Sequence, residues 1–484
     1  MNYKIIGHII KIILLVEAVF MLPAIAYCLV DGDRTACVSF AVSIAIILAV
    51  VALLHFLCRG YSDKFFAKEG LITVGASWIF MSIFGALPFV FSSAIPNFID
   101  AMFEIVSGFT TTGASILTDI EALPRGLLYW RSFSHWLGGM GVLVFILAIV
   151  PLSSKGSGYS MHLMRAESPG PDVGKLVPKV RSTAKILYII YFGITALDVF
   201  FLMLGGISFF EAICTAFGTA GTGGFSVKND SLMSFSPYVQ NVCTVFMMLF
   251  GVNFSCYYLL IKGNFKSVLK DEEFRLYIGV AVASTVIITI NTLSYYGTTG
   301  EAIHHAAFQV ASIMTTTGFG TVDSDLWPAL SKTVLLFLMF CGACAGSTGG
   351  GIKCGRVVLY LKMLRQRVAK ALHPDRVKKI TMNNQPVNSD VLSATGSYLI
   401  AYVLIIIVST LLISVDNFSF ETNFSAVMAT FNNIGPGFGA VGAVCNYSGF
   451  SMFSKIILTI DMLAGRLEIF PILVLFSTQT WKND

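Results

Sequence analysis

The sequence predicts an all-α integral membrane protein: two N-terminal helices, then four helix–loop–helix repeats arranged with pseudo-fourfold symmetry about one axis. Three observations carry this expectation. They are the apolar composition, the lengths of the apolar segments, and a short Thr/Gly-rich stretch that recurs four times in the same setting. Hydrophobic residues fill 55% of 484 positions and charged residues only 12%, with a mean hydropathy of +0.77. A water-soluble domain keeps about a quarter of its residues charged. A soluble chain of this composition would expose large apolar patches and aggregate, whereas a bilayer solvates the same surface with lipid.

The ten cysteines fit this reading, since Cys28, Cys58, Cys243 and Cys256 sit in apolar stretches and no secreted-type disulfide framework is present. Cys341 and Cys344 have redox or zinc spacing, but they adjoin glycines at the end of an apolar helix and lack a second pair. At the N-terminus, Lys4 and Lys11 precede an apolar run too long for a signal-peptide core, so the run is read as a retained spanning helix.

A spanning helix needs about 20 apolar residues. Candidate spans lie near 5–30, 36–57, 71–94, 129–153, 185–206, 238–261, 276–294, 332–346, 392–414 and 455–476. Between some of them lie apolar segments too short to cross, near 98–109, 209–218, 301–314 and 421–431, as expected of re-entrant half-helices. Lysine and arginine set the orientation. Six basic residues lie between Lys155 and Lys185, four between Lys262 and Arg275, and nine between Lys353 and Lys379, with Arg59, Lys64 and Lys68 in an earlier turn. If the spans alternate, all four connections share one side, which is then the cytoplasm, and both termini are cytoplasmic. The opposite connections carry Asp119, Glu121, Asp230, Asp323 and Asp325, and the short segments enter from that outer side.

After the first two helices, the order span, short segment, glycine-rich stretch, span occurs four times. The stretches are Thr110-Thr111-Thr112-Gly113, Ala220-Gly221-Thr222-Gly223, Thr315-Thr316-Thr317-Gly318 and Asn432-Asn433-Ile434-Gly435. The expected organisation is a two-helix unit over 1–68 and helix–pore loop–helix repeats over 69–155, 156–265, 266–380 and 381–484, around a central pore. The residue types suit a potassium filter. Rings of backbone carbonyls can replace the water around a dehydrated ion. Turning successive carbonyls inward needs positive φ at some residues, which glycine tolerates. Half-helices entering from outside aim their partly negative C-termini at the centre, where a cation is favoured. Glycines that merely allow helix packing or external turns would explain one such stretch; four in the same setting favour the filter.

These residues also resemble the Trk/Ktr/HKT superfamily of potassium transporters, most closely its bacterial TrkH branch. The resemblance spans nearly the whole chain. It rests on Ser107-Gly108-Phe109-Thr110-Thr111-Thr112-Gly113-Ala114, His135-Trp136-Leu137-Gly138-Gly139-Met140-Gly141 and Gly223-Gly224-Phe225-Ser226. It also rests on Cys344-Ala345-Gly346-Ser347-Thr348-Gly349-Gly350-Gly351, Asn432-Asn433-Ile434-Gly435-Pro436-Gly437 and Met462-Leu463-Ala464-Gly465-Arg466-Leu467-Glu468. The resemblance implies a K⁺-selective, dimeric pore in a bacterial cytoplasmic (inner) membrane, with filter glycines Gly113, Gly223, Gly318 and Gly435. It further implies a cytosolic, TrkA-like nucleotide-binding ring that controls the gate. Some relatives carry serine at the first filter glycine and pass sodium better, so Gly113 favours potassium. Ala220-Gly221 departs from the bulkier residues usual before the second filter glycine, which bears on how rigid that quarter of the ring is.

Two features are expected deeper along the pore. The segment 342–351 holds Gly342, Gly346, Gly349, Gly350 and Gly351 with Ser347 and Thr348, and interrupts a helix running from Ser331 to Arg365. Each interior glycine costs about 1 kcal/mol relative to alanine, so the helix should break there. In the related transporters this is an intramembrane gating loop. Its glycines and Lys353 lack the order and preceding strand of a phosphate-binding loop, so ATP binding is not expected. Arg466 lies within the last apolar span, where a charge costs at least about 2.5–3.5 kcal/mol at mid-bilayer. It either projects into the pore as a barrier to cations or pairs with Glu468, Asp461 or a loop carbonyl.

The remaining ionisable residues are read more simply. His135, His304 and His305 are taken as interfacial packing residues. Asp100, Glu104, Glu211, Glu301 and Glu421 either concentrate cations at the outer mouth or cap the half-helices. The basic stretch from Lys362 to Lys379 binds anionic lipid or the partner ring, or is a plain positive-inside loop. The transported ion is K⁺, with no organic cofactor and no nucleic-acid partner expected. An ion-coupled (H⁺ or Na⁺) symporter is the alternative. It would also have broken helices and repeats, though usually with more intramembrane charge. An intramembrane enzyme is disfavoured, because no dyad or metal cluster is legible in the spans.

Overall fold

The computed structural model describes residues 2–60, 65–141, 180–374 and 379–481. Several expectations fall outside these residues: positions 142–153 of the span expected at 129–153, most of the basic connection 155–185, Lys64, Arg376, Lys378, both chain ends and the boundary between the first two repeats.

Among the described residues, six helices are long and apolar enough to cross a bilayer. Two are N-terminal, Tyr3–Asp31 and Arg34–Leu57, the first running through a joint at Met21 just before Pro23. Ile5, Ile6, Ile9, Ile10, Ile13 and Leu14 are buried on the first helix, which packs against Arg34–Leu57 and Ala67–Phe91. The other four, Ala67–Phe91, Ser182–Leu204, Glu272–Thr292 and Ser389–Asp416, are the leading helices of the four repeats.

Each leading helix is followed by a half-helix: Phe98–Phe109, Phe209–Gly221, Thr299–Met314 and Phe420–Phe431. All four start at a polar N-cap, Asn97, Ser208, Thr298 and Ser419, whose side chain accepts a backbone N–H of the first turn. Glu211 completes a capping box with Ser208. The trailing helices begin after Pro124, Ser236, Pro328 and Ser451.

The trailing helices differ from expectation. Only the third was expected to break, but all four stop near the depth of the half-helix C-termini. The first ends at Gly139, before Gly141 at φ 81°. The second, expected to run through 238–261, bends by 89° between Pro237–Phe250 and Phe254–Ile261. The third ends at Cys341 and resumes only at Cys354. The fourth, expected over 455–476, breaks between Arg466 and Phe470, with Glu468 and Ile469 at φ 53° and 71°. Close approach explains two of these ends. A Cβ on Gly138 would overlap the carbonyl of Phe109, and one on Gly465 that of Phe431, so both helices run hard against a half-helix terminus.

The architecture is otherwise all-α among the described residues. The exception is a short antiparallel hairpin pairing Thr381–Met382 with Gln385–Pro386. Asn383 and Asn384 turn it with φ 50° and 64°, the both-positive geometry of a tight hairpin turn. Ile380 and Met382 pack it onto Leu359 of the helix Cys354–Leu372.

Gly465→Ala is expected to lower stability by about 1–3 kcal/mol, because the added methyl has no room to relax. Gly396→Ala, where a Cβ meets nothing within 4 Å, is expected to be neutral or stabilising by up to about 1 kcal/mol. Thermal unfolding of both variants in detergent checks this, and equal loss from both would contradict the packing account.

Candidate functional site: a ring of four loops over a glycine-rich segment

The four recurring stretches lie at the half-helix C-termini and share one backbone path. Thr111, Thr222, Thr316 and Asn433 have φ of 56°, 55°, 61° and 56°. The next N–H groups, of Thr112, Gly223, Thr317 and Ile434, donate to the carbonyls of Ser107, Gly218, Ser312 and Ala429, each at 2.8 Å. Positive φ returns at Gly113, Gly224, Gly318 and Gly435, at 80°, 76°, 85° and 96°. A left-handed threonine is costly and persists only where its surroundings enforce it.

This path corrects the second repeat by one residue. The stretch equivalent to Thr110-Thr111-Thr112-Gly113 is Gly221-Thr222-Gly223-Gly224, so Gly224 stands where Gly223 was expected. Ala220 then matches Phe109, Met314 and Phe431, the residues just ahead of the other three stretches. Three adjacent small residues hid the register, because only backbone dihedrals and hydrogen bonds distinguish them.

The four loops close into a ring. A Cβ on Gly113 would overlap the Gly223 carbonyl, one on Gly224 that of Thr317, one on Gly318 that of Ile434, and one on Gly435 that of Thr112. Equivalent atoms thus meet in the order 1–2–3–4–1. A vestibule of about 170 Å³ on the half-helix side is lined by Gly113, Gly224, Gly318 and Gly435.

Three quarters of the ring share a side-chain strut. Thr110 and Thr315 donate through Oγ1 to the carbonyls of Val106 and Ala311, both at 2.6 Å, and Asn432 donates through Nδ2 to Met428 at 2.9 Å. The second quarter has Gly221 at that position, and His135 takes over. Its ring fills the space beside Gly223, and its backbone carbonyl abuts Gly221. One ring nitrogen bonds the Gly108 carbonyl at 2.7 Å, and Nε2 accepts the N–H of Phe225 at 3.2 Å. His135 is fully buried, which corrects its reading as an interfacial residue. His304 and His305 do lie away from the ring, bonded to Gln240 and Thr321.

Beside His135, a buried pair ties the first two quarters together. Arg131 Nε donates to Glu104 at 2.6 Å, its guanidinium lies over the Phe225 ring, and Nη1 donates to the Ser226 carbonyl at 2.9 Å. Glu104 also accepts the N–H of Ile116 at 2.9 Å. It is therefore neither a cap nor a mouth acid. Arginine within an apolar segment is a legible signal that sequence reasoning missed. Asp100 and Glu421 pair with Lys455 and Lys332.

Below the ring lies the segment 342–351, folded as expected into a non-helical loop with φ of 65°, 69° and 75° at Gly342, Gly346 and Gly351. The Gly350 N–H donates to Thr316 Oγ1 at 2.7 Å. Side chains at Gly349 and Gly350 would collide with the carbonyls of Thr315 and Asn432. On the other flank, Cys344 N–H donates to the Gly251 carbonyl and Gly346 accepts from Phe254 N–H, both at 3.0 Å. Arg466 reaches across from the fourth repeat. Nη1 donates to the Thr348 carbonyl at 2.7 Å, and Nη2 to the Gly138 and Gly139 carbonyls at 2.5 Å. Arg466 thus bonds loop carbonyls, one of the partners expected for it, and lines a cavity of about 90 Å³ with Gly346, Ser347, Gly349 and Gly350. Glu468 instead holds Lys353 at 3.0 Å and Arg356. Among the described residues, no group of three or more His, Cys, Asp or Glu side chains could hold a metal ion.

Residues 37–483 match the TrkH family model, described as a cation transport protein. The chain belongs to the TrkH family. Over its full length it is 36% identical to the Trk system potassium uptake protein TrkH of Escherichia coli, which is also covered completely. It is 33% identical to TrkH of Halomonas elongata, with both chains fully covered. It is 30% identical to the Trk system potassium uptake protein TrkG of Escherichia coli, covering all of this chain and 99% of that one. The crystal structure of the potassium transporter TrkH from Vibrio parahaemolyticus superimposes with a TM-score of 0.86 over both whole chains, at 31% identity.

His135→Ala would open a void beside Gly223 and strand the Phe225 N–H and Gly108 carbonyl. A loss of about 2–4 kcal/mol is expected, measured by unfolding in detergent. A loss under about 0.5 kcal/mol, the level of a surface change, would mean that His135 does not brace the second quarter.

Proposed function

We propose that this chain takes up potassium through a gated, K⁺-selective pore whose filter is the ring of stretches ending at Gly113, Gly224, Gly318 and Gly435. The carrying observation is the closed cycle in which each filter glycine abuts the carbonyl of the next loop. Potassium is the cargo. Backbone oxygens replace its hydration shell, and four half-helix C-termini add negative potential at the ring. The relatives named as potassium uptake proteins support the same reading.

The loop around Gly346, Ser347, Thr348, Gly349, Gly350 and Gly351 is the gate, standing on Thr316 with Arg466 beneath it. The guanidinium adds positive charge where a cation would leave the ring, so loop and arginine together form the barrier. The half-helices enter from outside, and both termini and the basic connections face the cytoplasm of a bacterial inner membrane. The working form is a homodimer opened by a cytosolic, TrkA-like nucleotide-binding ring. The buried acids Glu17, Asp198 and Asp461, the first two of which the sequence reading overlooked, favour one second reading, K⁺ uptake coupled to protons.

Cation flux into liposomes tests this. The parent should pass K⁺ and Rb⁺ well above Na⁺ and Li⁺, and Gly113→Ser and Gly224→Ser should each relax the K⁺/Na⁺ ratio. Equal passage of all four ions by the parent would sink the filter. Arg466→Ala should raise K⁺ flux about tenfold, the effect of lowering a barrier by roughly 1.4 kcal/mol, and unchanged flux from a folded variant counts against the barrier. K⁺ accumulation that follows an imposed pH gradient would favour the coupled reading.

A further inference from the structure

Both limbs of the loop beneath the ring are held by one oxygen. Glu273 is the second residue of the leading helix Glu272–Thr292 and is 5% exposed. Its Oε1 accepts the N–H of Ala345 at 2.6 Å, where the chain enters the glycine run, and that of Gly355 at 2.7 Å, where it has left. Cys354 N–H donates to the Ala343 carbonyl at 2.9 Å, closing the neck between the limbs. Gly355 lets the carboxylate approach closely, since a Cβ there would lie 3.0 Å from the same oxygen, a tight contact. A carboxylate accepting two backbone N–H groups is a charge-assisted clasp.

The same helix end is gripped from outside the bundle. Glu272 pairs with Lys362, whose ammonium also donates to the Thr381 carbonyl at 2.6 Å. Asn383 accepts the Glu272 N–H at 2.9 Å and donates to Asp271 at 2.7 Å. The hairpin at Thr381–Met382 and Gln385–Pro386 and the helix Cys354–Leu372 are therefore fastened to the residues adjoining the clasp. The gripped residues Asp271 and Glu272 directly precede Glu273, so no residue lies between grip and clasp.

We propose that Glu273 is the latch of the intramembrane loop, holding its neck shut under the ring, and that the grip of Lys362 and Asn383 on the Asp271–Glu272 helix end is where an outside force releases it. The latch rests on the pore reading above. Glu273 is a positioning residue: it touches no ion path and acts through where it places Ala345 and Gly355. Loss of the clasp shifts the loop toward its displaced arrangement without altering the ring, so flux rises while selectivity stays.

The test is K⁺ and Na⁺ flux into liposomes for the parent, Glu273→Ala, Glu273→Gln and Lys362→Ala. Glu273→Ala should raise K⁺ flux about fivefold or more with the K⁺/Na⁺ ratio unchanged, as a shifted two-state gate requires. Glu273→Gln keeps a carbonyl oxygen for both N–H groups and should return flux close to the parent. Lys362→Ala, a half-exposed change outside the membrane core, should raise flux in the same direction, which keeps the test decisive if Glu273→Ala fails to fold. Flux unchanged or reduced in Lys362→Ala and in folded Glu273→Ala overturns the latch but leaves a K⁺-selective parent standing. A parent that does not select K⁺ overturns the pore reading, and the latch with it.

Discussion

A contact between a glycine Cα and the carbonyl oxygen of the neighbouring repeat, made four times in a closed cycle, is the constraint on which the rest of the molecule depends. No side chain fits at these positions, and the backbone there is left-handed. Spacing between the loops is therefore set by backbone against backbone, with no flexible group to absorb error. What stands behind the ring is correspondingly stiff. The half-helices are capped at one end, the first and fourth are buttressed at the other by Gly138 and Gly465, and the hydroxyls of Thr110 and Thr315 are tied to the helices that precede them. Irregular backbone at membrane depth survives only when buried in protein or lining a cavity, and here it does both.

The loop beneath follows from the same geometry. Each trailing helix stops where it meets the ring, and the freed backbone must find partners. In the third repeat the break lengthens into a ten-residue segment, 342–351, whose polar groups bond Thr316, Gly251 and Phe254. Arg466 completes this layer by bonding carbonyls of the first and third repeats, the two neighbours of its own. The fully buried Arg131 belongs to the layer above, where its carboxylate partner makes burial affordable.

Much of this was legible in the sequence. Span lengths located the leading helices, and segments too short to cross located the half-helices almost to the residue, because capping residues and apolar length act locally. The breaks in the first, second and fourth trailing helices were not anticipated, although glycines stand at each, Gly138, Gly139 and Gly141 in the first, Gly251 in the second and Gly465 in the fourth. In the first and fourth, the helix runs hard against a half-helix terminus about 30 positions earlier in the sequence. The register of the second recurring stretch failed for a related reason: Gly221, Gly223 and Gly224 look alike as letters, and only backbone dihedrals and hydrogen bonding separate them. His135 and Glu104 were seen as residues but not in their roles, and Glu273 was not singled out, because the contacts of all three depend on partners about 30 to 90 positions away.

The debt of the second quarter to His135 has a consequence for assembly. A ring of four identical copies of that repeat would lack the imidazole, since the histidine belongs to the first repeat. Joining four unlike quadrants in one polypeptide fixes their number and their neighbours, so one quadrant can lend a side chain that the next has lost. The quadrants are consequently not interchangeable: transplanting the second repeat to another position would leave its glycines without a wall.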